Sequence, residues 1–248
     1  MTAERPLQGQ VAIITGSSRR NGKAMALALA ADGAAVIVNA RSAKAEIEEV
    51  AKEIEEAGGR ALAHQADITD EAQATGLIEA AVEKFGRVDI LINNAALRGE
   101  APVLEMSLKQ WREVLDVILD GTFLCSRAAL RHMVKQRYGR IINIGGVSAH
   151  LGAPNRAHVS AGKSGLVGLT RGMASEFASH GITVNCVVPG RIGGQRSATS
   201  GHGINASPPV GREGIPDDVV MVIRMLCDPA AGYITGQTIH VSGGLYMP

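Results

Sequence analysis

The sequence predicts an α/β fold in which seven short strands form one parallel, doubly wound sheet with helices on both faces. Short apolar runs, such as 11–14 and 140–144, have the composition of strands that are buried on both faces. Longer segments with a helical spacing of apolar and charged residues, such as 42–57, separate these runs. The 248 residues suit a single domain over 1–248, because α/β folds often reach this size as one unit.

The first strand leads directly into a glycine loop. After the apolar run at 11–14 come Gly16 and Gly22, and an Ala-rich helix follows over 23–31. A strand, a glycine loop and a helix begin the Rossmann-type three-layer sandwich, in which the helix N-terminus receives a pyrophosphate. We therefore expect a dinucleotide-binding domain.

The end of the second strand indicates which dinucleotide is preferred. Folds that prefer NAD(H) place an acidic side chain near this point, where it holds the ribose 2′-hydroxyl. Here the strand over 34–39 ends at the neutral Asn39, and Arg41 and Ser42 follow. Together with Arg19 of the glycine loop, these side chains could clamp a 2′-phosphate through charged hydrogen bonds. The sequence favours NADP(H) over NAD(H), with ordinary surface arginines as the alternative interpretation.

The alternation of strands and helices continues to the C-terminus. Asn155 is the predicted N-cap of the helix after the fifth strand, and His180 and Gly181 close that helix. The remaining predicted elements are strands at 61–66, 88–93, 140–144, 181–188 and within 235–244, and helices ending near 85 and over 107–137, 155–177 and 217–227.

A motif in the helix over 155–177 identifies a family. The chain reads Val159-Ser-Ala-Gly-Lys163-Ser-Gly-Leu-Val-Gly-Leu-Thr170. This text resembles that of the short-chain dehydrogenases/reductases, whose helix carries Tyr-x-x-x-Lys before a small pair and an apolar-Gly-Leu-Thr run. A spacing of four places both side chains on one helix face. Lys163 occupies the lysine position and Val159 the tyrosine position, and the resemblance covers roughly Val11 to Gly244.

The resemblance places two further catalytic side chains at positions that lack them here. The family serine lies thirteen residues before its tyrosine, which is Gly146 in this chain. The assisting asparagine falls within Asp116-Val-Ile-Leu-Asp-Gly-Thr-Phe123, at Ile118. Of the four family residues only Lys163 remains. The ordinary Ser-Tyr-Lys mechanism is therefore not possible for this chain.

A nicotinamide dinucleotide is the cofactor that the resemblance implies. Arg20 replaces the middle glycine of the family's loop, and its side chain either crowds the pyrophosphate or swings out to bind it. Gly194 replaces a threonine that anchors the carboxamide, and a substrate lid is implied at about 191–215. The implied cofactor-binding residues are Gly16, Ser18, Arg19, Arg20, Gly22, Arg41, Ser42, Asp67, Ile68, Asn94, Ala95, Lys163, Pro189, Gly190 and Ile192.

Three side chains are candidate substitutes for the missing catalytic groups. His158 adjoins the vacant tyrosine position, although one residue on a helix turns a side chain by about 100°. Ser148 lies two residues beyond Gly146, and His150 lies on the same loop. An ordinary structural role is the alternative for each of them. The candidate catalytic set is accordingly Lys163 with His158 or Ser148.

Two functions from different classes are consistent with these residues. The first is an NADP(H)-binding oxidoreductase that transfers hydride between cofactor and a carbonyl or alcohol, with altered or impaired catalysis. The alternative is a non-redox pseudoenzyme or scaffold that binds the cofactor and partners an active relative. The substrate is a small molecule that the sequence does not name. The resemblance also implies a homodimer or homotetramer.

Composition and charge exclude several other classes. The formal charge of +1, with scattered basic residues, does not indicate a nucleic-acid partner. Cys125, Cys186 and Cys227 are too far apart for a disulfide framework or a zinc site, so no metal is expected. The N-terminus lacks a signal-peptide core, and no apolar run has the length of a membrane span. We therefore expect a cytoplasmic protein without a membrane partner.

Overall fold

The computed structural model describes residues 5–193 and 207–248. Its centre is a single sheet of seven parallel strands in the order β3-β2-β1-β4-β5-β6-β7. The predicted α/β class, doubly wound topology and strand number are confirmed. The strands are β1 Val11–Ile14, β2 Ala35–Ala40, β3 Arg60–Gln65, β4 Ile90–Asn93, β5 Gly139–Ile144, β6 Ile182–Pro189 and β7 Thr238–Val241.

Helices cover both faces of the sheet and form a three-layer sandwich. They are α1 Arg20–Ala31, α2 Lys44–Glu56, α3 Glu71–Phe85, α4 Leu108–Leu115, α5 Gly121–Gln136, α6 Ser148–Leu151, α7 Ala157–Phe177 and α8 Pro216–Cys227. No helix within the described ranges is long and apolar enough to cross a membrane.

The core consists of one apolar layer on each face of the sheet. On one face, Met25 of α1, Ile47 of α2 and Ile223 of α8 pack over alternate strand residues. On the other face, Leu77 of α3 and Met133 of α5 pack over the intervening ones. Successive strand residues face opposite sides, so a strand that is covered on both sides must be apolar throughout. This explains the continuous apolar runs of the sequence.

The order of the strands reverses beside β1. The chain places β2 on one side of β1 and β4 on the other. At such a switch point the connections leave in opposite directions, and a crevice opens at the carboxyl ends of the strands. The residues that follow β1, β4, β5 and β6 therefore meet at one edge of the sheet.

Three local features differ from the sequence prediction. The helix predicted over 107–137 begins with a capping box at Ser107, but a π-helical turn at Asp116–Asp120 divides it into α4 and α5. The loop before α7 contains the short helix α6. The predicted N-cap at Asn155 is wrong, because Asn155 has a φ of 60° and α7 starts after Arg156. A left-handed backbone is incompatible with the extended conformation that N-cap residues adopt.

Candidate active site

A cleft of about 430 Å³ lies at the carboxyl edge of the sheet. It extends from Arg41 and Ser42 after β2, past the glycine loop, to Lys163 of α7. All the cofactor-binding residues expected from the sequence line this cleft, from Gly16 to Ile192. The predicted residue Gly194 and most of the predicted lid lie outside the described residues.

The glycine loop is built by close backbone approach. A Cβ at Gly22 would lie 2.3 Å from the carbonyl oxygen of Gly16 and 2.8 Å from Asn94 Nδ2. Gly16 itself has a φ of +62°, and a Cβ there would meet the Cα of Ala95 at 2.9 Å. The Asn94 amide donates to the carbonyls of Thr15 (2.9 Å) and Gly16 (2.8 Å), which ties the loop to the end of β4. The first turn of α1 is thereby held open toward the cleft.

Arg20 occupies the position where the family's loop has its middle glycine. Its φ of 51° lies in the left-handed region that favours glycine, which accounts for the residue type that the resemblance leads one to expect. Its guanidinium Nη2 donates to the carbonyls of Ile192 (3.2 Å) and Gly193 (3.4 Å). The side chain thus swings out of the loop and crosses to the segment after β6.

The end of the cleft beside β2 and β3 contains the groups that the resemblance implies for the adenosine half of a dinucleotide. The Asn39 amide donates to the carbonyls of His64 and Ala66 at 3.1 Å each, so it is committed to joining β2 to β3. Arg41 is exposed beside it on the cleft wall. Asp67 Oδ1 accepts from the backbone N–H (3.0 Å) and hydroxyl (2.8 Å) of Thr69. The cap of α3 is the neighbouring Asp70, which leaves Asp67 facing the cleft.

The opposite end is formed by Lys163, Gly146, Ser148 and Val159. The Lys163 side chain is 4% exposed, and its Nζ donates to the carbonyl oxygen of Ile144 at 2.5 Å. Burial, reinforced by the charge of Arg98, lowers the pKa of Lys163 to about 7. A Cβ at Gly146 would lie 3.7 Å from Lys163 Cγ and 3.9 Å from Ser148 Oγ.

Several known proteins are similar to this chain in sequence and in fold. A family model described as enoyl-(acyl carrier protein) reductase matches residues 19–246. A 3-oxoacyl-[acyl-carrier-protein] reductase of Synechocystis sp. is 44% identical over 247 residues, covering 97% of this chain and 98% of that protein. The crystal structure of a Sinorhizobium meliloti protein assigned as a short-chain alcohol dehydrogenase has a TM-score of 0.88 and 34% identity, covering 97% and 98% of the two chains. Acetoin dehydrogenase YohF of Salmonella typhimurium has a TM-score of 0.86 and 36% identity over 95% of each chain.

The chain belongs to the short-chain dehydrogenase/reductase family. Members of this family are oxidoreductases, and the predicted family assignment is confirmed. The cleft is lined by Lys163 together with Val159 and Gly146, which the resemblance places at the tyrosine and serine positions.

An apolar cluster fills the space behind the vacant tyrosine position. Val159 and Ile118 are both buried and pack together with Val114 and Leu166. Ile118 stands in the π-helical turn, where the family motif has its asparagine, and a Cβ at Gly162 would lie 3.1 Å from its Cγ2. An aliphatic side chain therefore lies at the position where the family motif has an amide.

The structure separates the three candidate substitutes. Ser148 lines the cleft beside Gly146, whereas His158 and His150 are absent from its wall. The His158 ring faces the loop after β4, since a Cβ at Gly99 would lie 3.6 Å from its Nε2. The His150 ring packs against His240, with centroids 4.5 Å apart. The 100° rotation between adjacent helix positions explains why His158 does not follow Val159 into the cleft.

Arg156 lines the cleft but is not among the residues predicted from the sequence. It is 7% exposed, lines the cleft and pairs through Nε with Glu100 Oε1 at 3.3 Å. Its spacing of three from Val159 places it on the same side of α7, and that spacing could have revealed it. Arg98 also lines this end of the cleft. Arg98, Arg156 and Arg191 thus line the Lys163 end of the cleft, where Arg156 pairs with Glu100 and Arg191 with Glu213.

Proposed function

We propose that this chain is an NADP(H)-dependent oxidoreductase that transfers hydride between the cofactor and a carbonyl or alcohol substrate through an altered catalytic site. The observation that carries the proposal is the continuity of one cleft, from the Arg41 rim through the glycine cradle to Lys163. The three parts of a dinucleotide site that the resemblance implies thus lie along one cleft.

The residues present fit a nicotinamide dinucleotide along this cleft. Gly22 keeps the N-terminus of α1 open, where backbone N–H groups and the helix dipole would bind the pyrophosphate. Arg41, Ser42 and Arg19 would hold a 2′-phosphate, and the committed amide of Asn39 leaves no carboxylate to repel it. The bound cofactor would supply or accept the hydride.

The chain's own groups would position the substrate and handle its proton. Ser148 offers a hydroxyl beside the vacant serine position, and Lys163 offers an ammonium one helical turn after Val159. The relative from Synechocystis is named as a 3-oxoacyl-[acyl-carrier-protein] reductase, which supports a carbonyl group as the point of reaction. A 3-oxoacyl thioester is therefore the first substrate to test.

The second candidate is a cofactor-binding pseudoenzyme that partners an active relative. The specific observation in its favour is the dry cluster of Val159 and Ile118, which provides no group for proton transfer. Under this alternative the protein binds nucleotide but does not turn over. For either function we propose a cytoplasmic protein that assembles as a homodimer or homotetramer, as the family resemblance implies.

Calorimetric titration with NADPH and then NADH tests the cofactor assignment. We expect Arg41→Ala to weaken NADPH binding about 10–100-fold, as loss of a charge-assisted hydrogen bond predicts, and to leave NADH binding unchanged. Arg60→Ala is the matched control. Arg60 is the first residue of β3, so it lies at the amino end of the strands, whereas the cleft lies at their carboxyl end. If neither nucleotide binds to the unmodified protein, both cofactor-dependent functions are wrong.

A further inference from the structure

We propose that Lys163 is itself the proton-transfer group of this site, so that its ammonium donates directly to the substrate oxygen in place of the family's tyrosine. The inference rests on the proposed hydride transfer, because it concerns the proton that accompanies that hydride. It assigns to one side chain a task that two residues of the family motif normally share.

The side chains at the Lys163 end of the cleft, which we call the reaction end, differ in whether they can transfer a proton. Among the described residues that line it, the titratable ones are Lys163, Arg98, Arg156 and Arg191. An arginine remains protonated throughout the working pH range and cannot act as an acid or base. The Ser148 hydroxyl can donate a hydrogen bond to a substrate oxygen but does not ionise near neutral pH. Lys163 is therefore the described cleft-lining group at this end that can release a proton.

The position of Lys163 on α7 also suits this side chain to proton transfer. Lys163 lies four residues after Val159, so both point to the same side of α7. Its Nζ lies at the carboxyl end of β5, held by the carbonyl oxygen of Ile144. The absence of a side chain at Gly146 leaves the Lys163 stem and Ser148 Oγ on either side of the vacant serine position. An ammonium has three protons, and the bond to Ile144 uses one of them.

The surroundings of Lys163 disfavour its protonated form. Arg98 approaches from the loop after β4 and opposes a second positive charge. Cys186 faces Lys163 from β6, but burial raises the pKa of its thiol to about 11, so it is neutral at pH 7. The 144–148 segment and the π-helical turn at Val117 and Ile118 present no ionisable side chain.

The remaining charged groups on α7 do not reverse this effect. Arg156 is cationic, and burial together with Arg156 lowers the pKa of His158, which keeps that ring neutral. The carboxylates of Glu100 and Glu213 pair with Arg156 and Arg191. No described carboxylate raises the pKa of Lys163, which is about 7. Both of its protonation states are then populated at neutral pH, which suits a general acid and base.

In the reductive direction the substrate oxygen gains a proton as the carbonyl carbon gains a hydride. The bound nicotinamide cofactor would supply a hydride to the carbonyl carbon, and the electron pair of the C=O π bond would move to the oxygen. That oxygen takes one proton from the Lys163 ammonium, which leaves a neutral amine, an alcohol and oxidised nicotinamide. Water in the open cleft then returns a proton to the amine. In the oxidative direction the neutral amine takes the proton from the alcohol.

Titration of the lysine side chains tests the acid directly. The chain has seven lysines, so ¹³C-lysine labelling gives a spectrum in which Lys163→Met identifies the Lys163 resonance by its loss. We expect that resonance to titrate near pH 7 in the protein without nucleotide. A Lys163 resonance that titrates above pH 10 overturns the proposal and leaves cofactor binding untouched.

Kinetics and binding of Lys163→Arg supply the second test. Arginine keeps the positive charge but cannot exchange a proton, so we expect NADPH binding to persist and reduction of a 3-oxoacyl thioester to fall by about 10² or more. Equal turnover by Lys163→Arg overturns the proposal, as does NADPH binding by an unmodified protein that reduces no thioester. Failure of the unmodified protein to bind NADPH is different, because it removes the proposed function itself. If Lys163→Arg does not fold, the titration of the unmodified protein still decides the question.

Discussion

At the scale of single residues, two adjacent glycines that follow β5 have opposite surroundings. A Cβ at Gly146 would meet Lys163 Cγ and Ser148 Oγ at ordinary contact distances of 3.7 and 3.9 Å. A Cβ at Gly145 would lie 2.9 Å from Val188 Cγ2 and 3.1 Å from Cys186 Sγ. The position of the missing serine can thus accept a side chain, whereas its neighbour cannot.

This contrast predicts the effect of restoring the serine. We expect Gly146→Ser to change the free energy of unfolding by less than about 0.5 kcal/mol, and Gly145→Ser to lower it by about 1–3 kcal/mol through overpacking. Urea denaturation measures both variants. Equal losses would contradict the open space at Gly146. The double variant Gly146→Ser, Val159→Tyr then asks whether those two positions limit carbonyl reduction.

The buried amine of Lys163 makes a further prediction at this scale. Its folded-state pKa of about 7 is below the ordinary value of 10.5, so between these values the unfolded chain binds more protons than the folded one. The stability of the unmodified protein should therefore rise with pH across this window, and below it the full cost of burying the charge is present. Lys163→Met should lack this rise. Parallel profiles of unfolding free energy from pH 7 to pH 10 would contradict the buried charge.

At the scale of elements, the glycine loop and the start of α1 form one unit with the ends of β1 and β4. Gly22 is the contact point, because its Cα packs against the Gly16 carbonyl and the Asn94 amide. The same tight approach creates the open helix terminus at which a pyrophosphate would bind. Stability and nucleotide binding are consequently coupled in this element.

The coupling predicts that Gly22→Ala lowers stability by about 1–3 kcal/mol and also weakens nucleotide binding. The control is Gly76→Ala in the middle of α3, where no atom lies within 4 Å of the added Cβ. Because alanine is the better helix former, this control should gain about 0.5–1 kcal/mol and bind nucleotide normally. Thermal unfolding with and without NADPH distinguishes the two variants. A neutral effect of Gly22→Ala would mean that the loop can relax.

At the scale of the whole molecule, α7 contributes to two different surfaces. Lys163 and Val159 face the cleft, whereas Ser164, Gly168 and Gly172 are exposed on the outer side of the helix. Within the described chain no atom lies within 4 Å of a Cβ added at Gly168 or Gly172. Small residues permit close approach of another helix, and the family resemblance implies that α7 packs against its copy in a second subunit.

Assembly through this side of α7 predicts a clear effect of one substitution. We expect Gly168→Arg to shift the protein from dimer or tetramer toward a smaller species, because a long cation would separate the paired helices. Gly76→Arg, on an equally open stretch of α3, should leave the assembly unchanged. Sedimentation velocity measures both variants. An unchanged assembly for Gly168→Arg would exclude this side of α7 from the interface.

The sequence by itself determined the strands, their parallel sheet, the family and the residues of the cofactor cleft. These features depend on local patterns: apolar runs for buried strands, glycines where the backbone approaches closely, and fixed spacing on one helix. Through the family resemblance, the spacing also predicts that Gly146, Val159 and Ile118 stand at the family's catalytic positions. Asn155 was misassigned because its left-handed backbone depends on the loop around it, which no local pattern records.

Only the tertiary structure decided which candidate side chains meet. Ser148 faces the cleft while His158 and His150 turn into other contacts, and these directions depend on the packing of α6, α7 and β7. The structure likewise decided the direction of Arg20 and the lowered pKa of Lys163, since both depend on residues far apart in the chain. Side-chain direction and burial are properties of long-range packing, and the sequence carries them only through the fold that it specifies.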